Sequence, residues 1–232
     1  MIYAVGDIHG ESALLEHMLE EIRRDAAEHG VGRECIAVFL GDYVDRGADS
    51  RGVIDILNGD PLPGFTIHLL MGNHEQAMLD FLESPEDRPE WLSFGGVQTL
   101  QSYGVRASIG VVDADRCRDL RDRFVRALPG EHRSFLERLE PMVSYGDYGF
   151  VHAGVRAGRR LEDQALEDLL WIREPFLRHR APFDKVIVHG HTIVPDVELH
   201  RNRIAVDTGA YATGVLSAVA LSGREGRVLS VS

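Results

Sequence analysis

Cysteine is scarce in this chain of 232 residues, which contains only Cys35 and Cys117. Cys35 lies in an apolar run and Cys117 in a polar helical stretch, so they match no paired zinc-binding motif and make no disulfide framework. Apolar runs are short as well, and none approaches the ~18–20 residues that a membrane-spanning helix needs. Because the first predicted strand, Ile2–Val5, starts at the second residue, we expect no signal peptide and a reducing, cytoplasmic environment.

Positive charge is also in deficit, because 25 lysine and arginine residues stand against 37 aspartate and glutamate residues, a net charge of −12. Nucleic-acid binding needs a basic face that neutralises phosphates, and adhesion to anionic membranes needs basic clusters. The composition therefore argues against both kinds of partner. The net charge overstates the acidity if some of the carboxylates surround a metal ion, because the charge of the ion offsets theirs.

The chain is long and apolar enough, at 44% hydrophobic residues, to bury a core as a single domain spanning residues 1–232. Strands are predicted at Ile2–Val5, Cys35–Leu40, Thr66–Met71, Gly149–His152, Val186–His189, Ile204–Val206 and in the tail from Val215 to Val231. Helices are predicted at Glu11–Arg24, Val53–Leu57, His74–Leu82 and Asp115–Leu128. This alternation predicts an α/β layered fold, with a helical cap inserted at residues 84–141.

Five of the predicted strands run directly into short polar motifs rich in glycine, aspartate and histidine. The motifs are GDIHG (6–10), GDYVDRG (41–47), GNHE (72–75), HAG (152–154) and HGHT (189–192). In open α/β sheets, ligands bind at the carboxyl ends of the strands. We therefore expect the polar side chains of these motifs to meet at one edge.

Each motif taken singly has an ordinary structural interpretation. In an Asp-x-His turn, the aspartate side chain commonly does no more than hydrogen-bond the backbone of the turn itself. Asn73 stands where a helix N-cap is expected, and His152 or His191 alone is compatible with a hydrogen-bonded core histidine. These interpretations would have to hold independently at all five strand ends, each beside glycine. The joint pattern therefore favours a functional site.

The residue types in the motifs indicate a metal centre. Carboxylates, an amide oxygen and imidazoles, without thiolates, suit borderline-hard divalent ions such as manganese, iron or zinc. Six protein ligands are too many for one catalytic ion that keeps an open position, and about right for two. Two ions ~3.5–4 Å apart across a bridging carboxylate are typical of two-metal phosphoester hydrolysis. Asp42 is the expected bridge, because it lies between the other ligands in strand order.

In this order, the five motifs closely resemble those of the phosphoprotein phosphatase (PPP) family of metallophosphoesterases, in particular its small bacterial and bacteriophage members. The motifs extend from residue 6 to 192, so the resemblance covers nearly the whole chain. It implies the calcineurin-like fold, a β-sandwich flanked by helices. It also implies hydrolysis by a hydroxide that bridges two divalent ions, with manganese expected and iron or zinc as alternatives.

The resemblance also assigns roles to individual residues. The implied ligands are Asp7, His9 and Asp42 for the first ion, and Asp42, Asn73, His152 and His191 for the second. His74 would be the general acid, with Asp45 hydrogen-bonded behind it. The implied phosphate-binding residues are Arg46, Arg173, Asn73 and His189, of which Arg46 also counts as catalytic.

Three functions remain open at this point. The first is a serine/threonine protein phosphatase that also accepts phosphotyrosine, with a phosphorylated protein or peptide as substrate. The second is a hydrolase of diadenosine polyphosphates, and the third is a scaffold on an inactive phosphatase fold. A scaffold would have lost a metal ligand, His74 or Arg46, and all are present, so catalysis is favoured. The oligomeric state is not predicted.

Aromatic and arginine residues outside the motifs have two interpretations each. Trp91, Phe94 and Tyr103 either form the core of the helical cap, which we favour, or a wall that faces the substrate. The arginines that follow HAG at 156, 159 and 160 either attract an acidic substrate or belong to a solvated loop.

Overall fold

The computed structural model describes residues 1–108, 110 and 113–232, which form two five-stranded β-sheets and nine α-helices. The strands are β1 (Ile2–Val5), β2 (Ile36–Phe39), β3 (Thr66–Leu69), β4 (Met142–Tyr145), β5 (Tyr148–Val151), β6 (Val186–His189), β7 (Glu198–Leu199), β8 (Arg203–Ala205), β9 (Leu216–Ser222) and β10 (Glu225–Val231). The helices are α1 (Ser12–His29), α2 (Ser50–Asn58), α3 (Asn73–Glu83), α4 (Gly96–Ser102), α5 (Ala114–Ala127), α6 (Gly130–Glu137), α7 (Leu166–Trp171), α8 (Glu174–Leu177) and α9 (Ala210–Thr213). Short 3₁₀ helices lie at Pro89–Phe94 and Leu161–Asp163. Within the described residues, no helix combines the length and apolarity needed to cross a membrane.

The first sheet has the strand order β10-β9-β1-β2-β3. β1, β2 and β3 run parallel, with Ile2 opposite Ile36 and Ile36 opposite Thr66, while β9 and β10 extend the sheet in antiparallel fashion beside β1. The parallel strands are joined through α1 and α2, because a parallel pair needs a long crossover connection. Their carboxyl ends therefore lie at one edge.

The second sheet has the order β4-β5-β6-β8-β7, in which β5, β6 and β8 are parallel. β4 and β7 are its antiparallel edge strands. A single bridge between Leu70, just after β3, and Glu140, just before β4, connects the edges of the two sheets. The chain thus passes from the first sheet to the second through the helical segment that precedes β4.

Hydrophobic clusters on both faces of each sheet hold the layers together. The cluster between the two sheets includes Val38 and Phe150. Phe39 and Phe81 belong to the cluster between the first sheet and its helices, and Phe176 to the cluster on the outer face of the second sheet. β2 is buried along its whole length, as its unbroken apolar run indicates. The α/β prediction is confirmed as a helix–sheet–sheet–helix sandwich.

Most of the predicted elements are confirmed, with strand ends that differ by at most two residues. The helix predicted at Glu11–Arg24 extends to His29 in the structure. Its last turns are charged and add little to the apolar stripe, so the stripe did not predict them. β4 and β7 were not predicted. None of the four residues of β4 is buried, and β7 has only two residues, so neither shows a buried apolar run.

The segment at 84–141 forms a 3₁₀ helix and α4–α6, while residues 109, 111 and 112 lie outside the described residues. Trp91, Tyr103 and Phe124 share one buried cluster with Met78 and Phe81 of α3. The core interpretation of Trp91 and Tyr103 is thereby confirmed. The single-domain organisation and the limits of the cap stay predictions.

Candidate metal centre

Strand ends from both sheets bring the predicted ligands into one buried cluster. These ligands follow β1 (Asp7 and His9), β2 (Asp42), β3 (Asn73), β5 (His152) and β6 (His191). None of the six is more than 7% exposed. The two sheets contribute to the cluster jointly, because their parallel strands end on the same side of the sandwich.

Asp42 lies in the middle of this cluster, with its two carboxylate oxygens directed toward different histidines. Oδ2 is 3.4 Å from Nε2 of His9, and Oδ1 is 3.4 Å from Nε2 of His152. Two groups of side chains place ligand atoms within reach of a single ion: His9, Asp42 and His74, and Asp42, His152 and His191. Asp42 belongs to both groups, as expected of a bridging carboxylate.

The hydrogen bonds of His9 and His152 show which ring nitrogen faces Asp42. Nδ1 of His9 is 2.8 Å from the carbonyl oxygen of Val44, and Nδ1 of His152 is 2.8 Å from that of Leu40. A carbonyl oxygen only accepts, so Nδ1 carries the proton on both rings. Burial lowers the pKa of His9 to about 3 and lowers that of His152 as well, so both rings are neutral. Each Nε2 therefore presents a lone pair to Asp42.

Asn73 and His191 add acceptors on the His152 side. Oδ1 of Asn73 lies 2.9 Å from Nε2 of His152 and 2.8 Å from Nδ1 of His191, and the buried Nε2 of His191 has no hydrogen-bond partner within the described part of the chain. The Nε2 lone pair of His152, the amide oxygen of Asn73 and a carboxylate oxygen of Asp42 thus converge, and no proton from His152 lies between them. Such an arrangement is stable beside a cation, and this donor set suits a borderline-hard divalent ion.

Asp7 lies against the backbone of His191 and accepts its N–H, at 3.2 Å from Oδ1 and 3.1 Å from Oδ2. Burial, and then the charges of Asp207 and Asp42, raise the pKa of Asp7 well above its usual value. Burial also raises the pKa of Asp207 to about 6. A nearby cation would favour the ionised form of buried carboxylates that raise one another's pKa. Sequence reasoning missed Asp207, although it follows β8 as the ligands follow their strands.

The backbone is strained within the same motifs. Among the described residues, the non-glycine residues with positive φ are His9, Asp42, Asp45, Arg46 and His191, with φ between 48° and 72°. Such conformations cost about 1–3 kcal/mol each and persist where the surrounding structure determines them. Their confinement to GDIHG, GDYVDRG and HGHT favours a functional role over ordinary turn chemistry.

Two of the motif glycines allow the carboxylates to approach the backbone closely. A Cβ atom at Gly190 would lie 2.1 Å from Oδ1 of Asp7, and one at Gly72 would lie 2.2 Å from Oδ1 of Asp42. Any side chain at either position would displace a carboxylate. This contact accounts for glycine beside the predicted ligand in HGHT and in GNHE.

His74 is held from behind by a buried carboxylate. Its Nδ1 donates to Oδ2 of Asp45 at 2.7 Å, and Asp45 also accepts from the Thr99 hydroxyl at 2.6 Å and from Nε1 of Trp91 at 3.0 Å. Burial lowers the pKa of His74, but the charge of Asp42 and the hydrogen bond to Asp45 outweigh it and raise the pKa overall. Residues at 91 and 99, which lie in the 84–141 segment, thus orient Asp45, a contact that the sequence did not reveal.

The predicted phosphate-binding arginines lie at the rim of the cluster. A terminal nitrogen of Arg46 is 3.1 Å from Nε2 of His74, and its guanidinium lies 4.7 Å above the ring centre of Tyr211. Arg173 is exposed and donates to the Thr192 hydroxyl at 3.4 Å. Tyr211 was not among the predicted site residues, since the stretch around it matched no motif.

His189 and Arg156 lie apart from this rim. His189 is fully buried, with Nδ1 3.0 Å from the carbonyl oxygen of Gly190 and its ring 4.9 Å from that of Phe176. The phosphate-binding role of His189 stays a prediction. Arg156 forms two hydrogen bonds to the carboxylate of Asp168, which occupies its guanidinium and gives this arginine a structural role.

Glu75 supports the loop that carries Asp42. Its Oε1 accepts the backbone N–H groups of Tyr43 and Val44 at 2.8 and 3.1 Å, and its Oε2 accepts those of Asp42 and Gly72, both at 2.9 Å. Burial and the charge of Asp42 raise the pKa of Glu75 to about 7, against the effect of the hydrogen bonds. One carboxylate thus serves four backbone donors from two motifs.

The Glu75→Gln variant is expected to lose about 2–6 kcal/mol of unfolding free energy. Two of the four N–H groups would face an amide NH₂ and lose their acceptor, at about 1–3 kcal/mol each. Urea denaturation of the metal-depleted protein measures the change. Glu83→Gln, at an exposed position in the same helix, is the matched control and should shift stability by less than about 0.5 kcal/mol. Equal stability of the two variants would contradict the role assigned to Glu75.

Nearly the whole chain is similar to known phosphoesterases and phosphatases. The family model of calcineurin-like phosphoesterases matches residues 1–215. Serine/threonine-protein phosphatase 2 of Escherichia coli is 25% identical, over 93% of this chain and 90% of its own. The symmetrical bis(5'-nucleosyl)-tetraphosphatase of Nitrosospira multiformis is also 25% identical, over 97% of this chain and 94% of its own. A crystallised mutant of a cold-active protein tyrosine phosphatase has the same fold, with a TM-score of 0.62 and 19% identity over 100% of this chain and 80% of its own.

Proposed function

This chain belongs to the calcineurin-like phosphoesterase family, and from that membership we propose that it is a protein phosphatase that hydrolyses phosphoserine and phosphothreonine, with phosphotyrosine as a further substrate. Metal-dependent phosphoester hydrolysis is the activity of the family. The choice of protein substrates is supported by the order of the five motifs and by the similarity to serine/threonine-protein phosphatase 2 over nearly the whole of both chains. The cytoplasmic location expected from the sequence stays a prediction.

Side chains on both sides of Asp42 would hold two divalent ions. The proposed ligands are Asp7, His9 and Asp42 for one ion, and Asp42, Asn73, His152 and His191 for the other. The observation that carries the proposal is that lone pairs of His9 and His152 face separate oxygens of one carboxylate. When bound, the two ions supply Lewis acidity that activates water and offsets the charge of the phosphate. Manganese is the proposed ion, with iron or zinc as alternatives.

The protein's own side chains would then hold the phosphate and protonate the leaving group. Arg46 and Arg173, at the rim, offer guanidinium forks to the phosphate oxygens. Asp45 accepts the hydrogen bond of Nδ1–H of His74, which leaves Nε2 directed toward the centre. When the ring is protonated, Nε2 delivers a proton to the leaving oxygen. His74 is therefore the proposed general acid, and Asp45 positions it.

A diadenosine polyphosphate hydrolase is the alternative, supported by the similarity to the bis(5'-nucleosyl)-tetraphosphatase over nearly the whole of both chains. The same metal centre serves both kinds of substrate, so discrimination depends on the surfaces beside it. A scaffold without activity is disfavoured, because the sequence keeps all the residues proposed as metal ligands, together with His74 and Arg46.

A substrate panel tests the proposal. Metal-depleted protein is reloaded with manganese, zinc or iron and assayed with a phosphoserine peptide, a phosphotyrosine peptide and diadenosine tetraphosphate. We expect kcat/KM for the phosphoserine peptide to exceed that for the nucleotide by at least about tenfold, a difference of about 1.4 kcal/mol in transition-state binding. The reverse order would assign the chain to nucleotide hydrolysis. Absence of turnover with every metal would support the scaffold.

A further inference from the structure

A groove of about 480 Å³ opens beside the candidate metal centre, between Phe94 and Trp171. Both aromatic rings lie edge-on to histidines of the centre, with centroids 6.3 Å apart in each case: Phe94 against His74, and Trp171 against His191. Trp171 is 41% exposed, so a large part of its ring faces solvent. These two rings therefore place the groove directly beside the histidines of the candidate centre.

Carboxylates dominate the lining of this groove. Asp80 of α3, Glu90 of the 3₁₀ helix and Glu167 of α7 line it, against the single guanidinium of Arg88 among the described lining residues. Arg88 is 3.9 Å from Asp80 and 3.9 Å from Glu90, and its side chain is 55% exposed. Ion pairs this long and this exposed contribute little. The carboxylates thus remain available to a cation from outside the chain.

The recess on the other side of Phe94 differs in charge. It measures about 580 Å³, includes Arg46 and Tyr211, and among the described residues has no carboxylate in its lining. Of these two recesses, only the groove between Phe94 and Trp171 has carboxylates among its described lining residues. A substrate whose phosphate lies between Arg46 and Arg173 would meet the carboxylates in one direction only.

We infer that the groove between Phe94 and Trp171 binds an arginine side chain that flanks the phosphorylated residue of a peptide substrate. A guanidinium stacks on aromatic rings and pairs with carboxylates through its planar fork, and the groove offers both. A dinucleotide polyphosphate carries several negative charges, which the same carboxylates would repel. The inference rests on the proposed protein phosphatase function and narrows its substrate class.

Peptides that differ only in charge test the inference. In a set of phosphoserine peptides, each flanking position in turn carries either arginine or citrulline, which has nearly the same shape without the charge. We expect kcat/KM for the arginine peptide to exceed that for its citrulline partner by about tenfold at one position or more, equivalent to about 1.4 kcal/mol. The ratio should fall as ionic strength rises, since salt screens exposed charges.

Variants of the groove locate the effect. In the triple variant Asp80→Asn, Glu90→Gln, Glu167→Gln, we expect the arginine-to-citrulline ratio to fall to about 1. Glu225→Gln, at an exposed position of β10 outside the groove, is the matched control and should keep the wild-type ratio. Because each ratio is taken within one variant, changes in metal content or folded fraction cancel.

The outcomes separate the inference from the proposed function. Turnover of phosphoserine peptides with a ratio near 1 at every position would overturn the inference and leave the phosphatase assignment intact. If the arginine-to-citrulline ratio stayed near tenfold in the triple variant, the arginine would bind at another surface, and the inference would be overturned as well. Faster turnover of diadenosine tetraphosphate than of every peptide would overturn both. Failure to hydrolyse even p-nitrophenyl phosphate with any metal would overturn the proposed function, and the inference with it.

Discussion

The Asp42→Asn variant is expected to lose bound metal and to hydrolyse a phosphoserine peptide on the order of 10³-fold more slowly than the wild type. Asp42 directs one oxygen to the His9 side and the other to the His152 side, so its charge serves both halves of the centre. Asparagine keeps one oxygen and replaces the other with an NH₂ group, which cannot bind a cation. Metal content after gel filtration, measured by mass spectrometry, and kcat/KM with saturating manganese together check this result.

Folding of the Asp42→Asn variant should be retained, because the N–H of His74 donates to Oδ1 at 3.1 Å and asparagine offers the same acceptor. Circular dichroism verifies this point. Asp60→Asn, at an exposed position after α2, is the matched control and should keep both metal and turnover. If Asp42→Asn retained two bound ions and more than about a tenth of the wild-type activity, Asp42 would not be the bridge.

Much of this architecture could be predicted because most of the strands that precede the predicted ligands are buried. β2 and β5 are buried over their whole length and appear in the sequence as short apolar runs. Parallel strands of one sheet end at a common edge, so the polar residues after β1, β2 and β3 are expected to approach one another, as are those after β5 and β6. That the two sheets end on the same side, which brings His152 and His191 to Asp42, is seen only in the structure.

The side chains that support the ligands could not be predicted in the same way. Trp91 and Thr99 reach Asp45 from 46 and 54 residues further along the chain, out of short helices that carry no recognisable motif. Glu75 lies within GNHE, but its four backbone donors come together only when two loops pack against each other. Local sequence patterns contain no information about such contacts until the layers are assembled.

The His74→Asn variant is expected to lower turnover of a phosphoserine peptide by roughly 10²–10⁴-fold, the usual contribution of a general acid. Turnover of p-nitrophenyl phosphate should fall far less, because p-nitrophenolate leaves without being protonated whereas the serine alkoxide does not. Metal content should stay unchanged if His74 is the acid, since it is not one of the proposed ligands and its Nε2 lies 3.1 Å from Arg46. Steady-state kinetics with both substrates and metal analysis of one preparation test these expectations together.

Metal analysis also decides between two roles for His74, because its ring lies close enough to His9 and Asp42 to complete a set of three metal ligands. Loss of one ion, with equal rate losses on both substrates, would make His74 a ligand and contradict the general-acid role. His17→Asn, at an exposed position of α1, controls for the substitution itself.

Thr99→Val removes only the hydroxyl that holds Asp45, so we expect a loss of about tenfold with the same leaving-group dependence and intact metal. A Thr99→Val loss that is equal for both substrates would show that the hydroxyl acts on the metal centre rather than through Asp45 and His74.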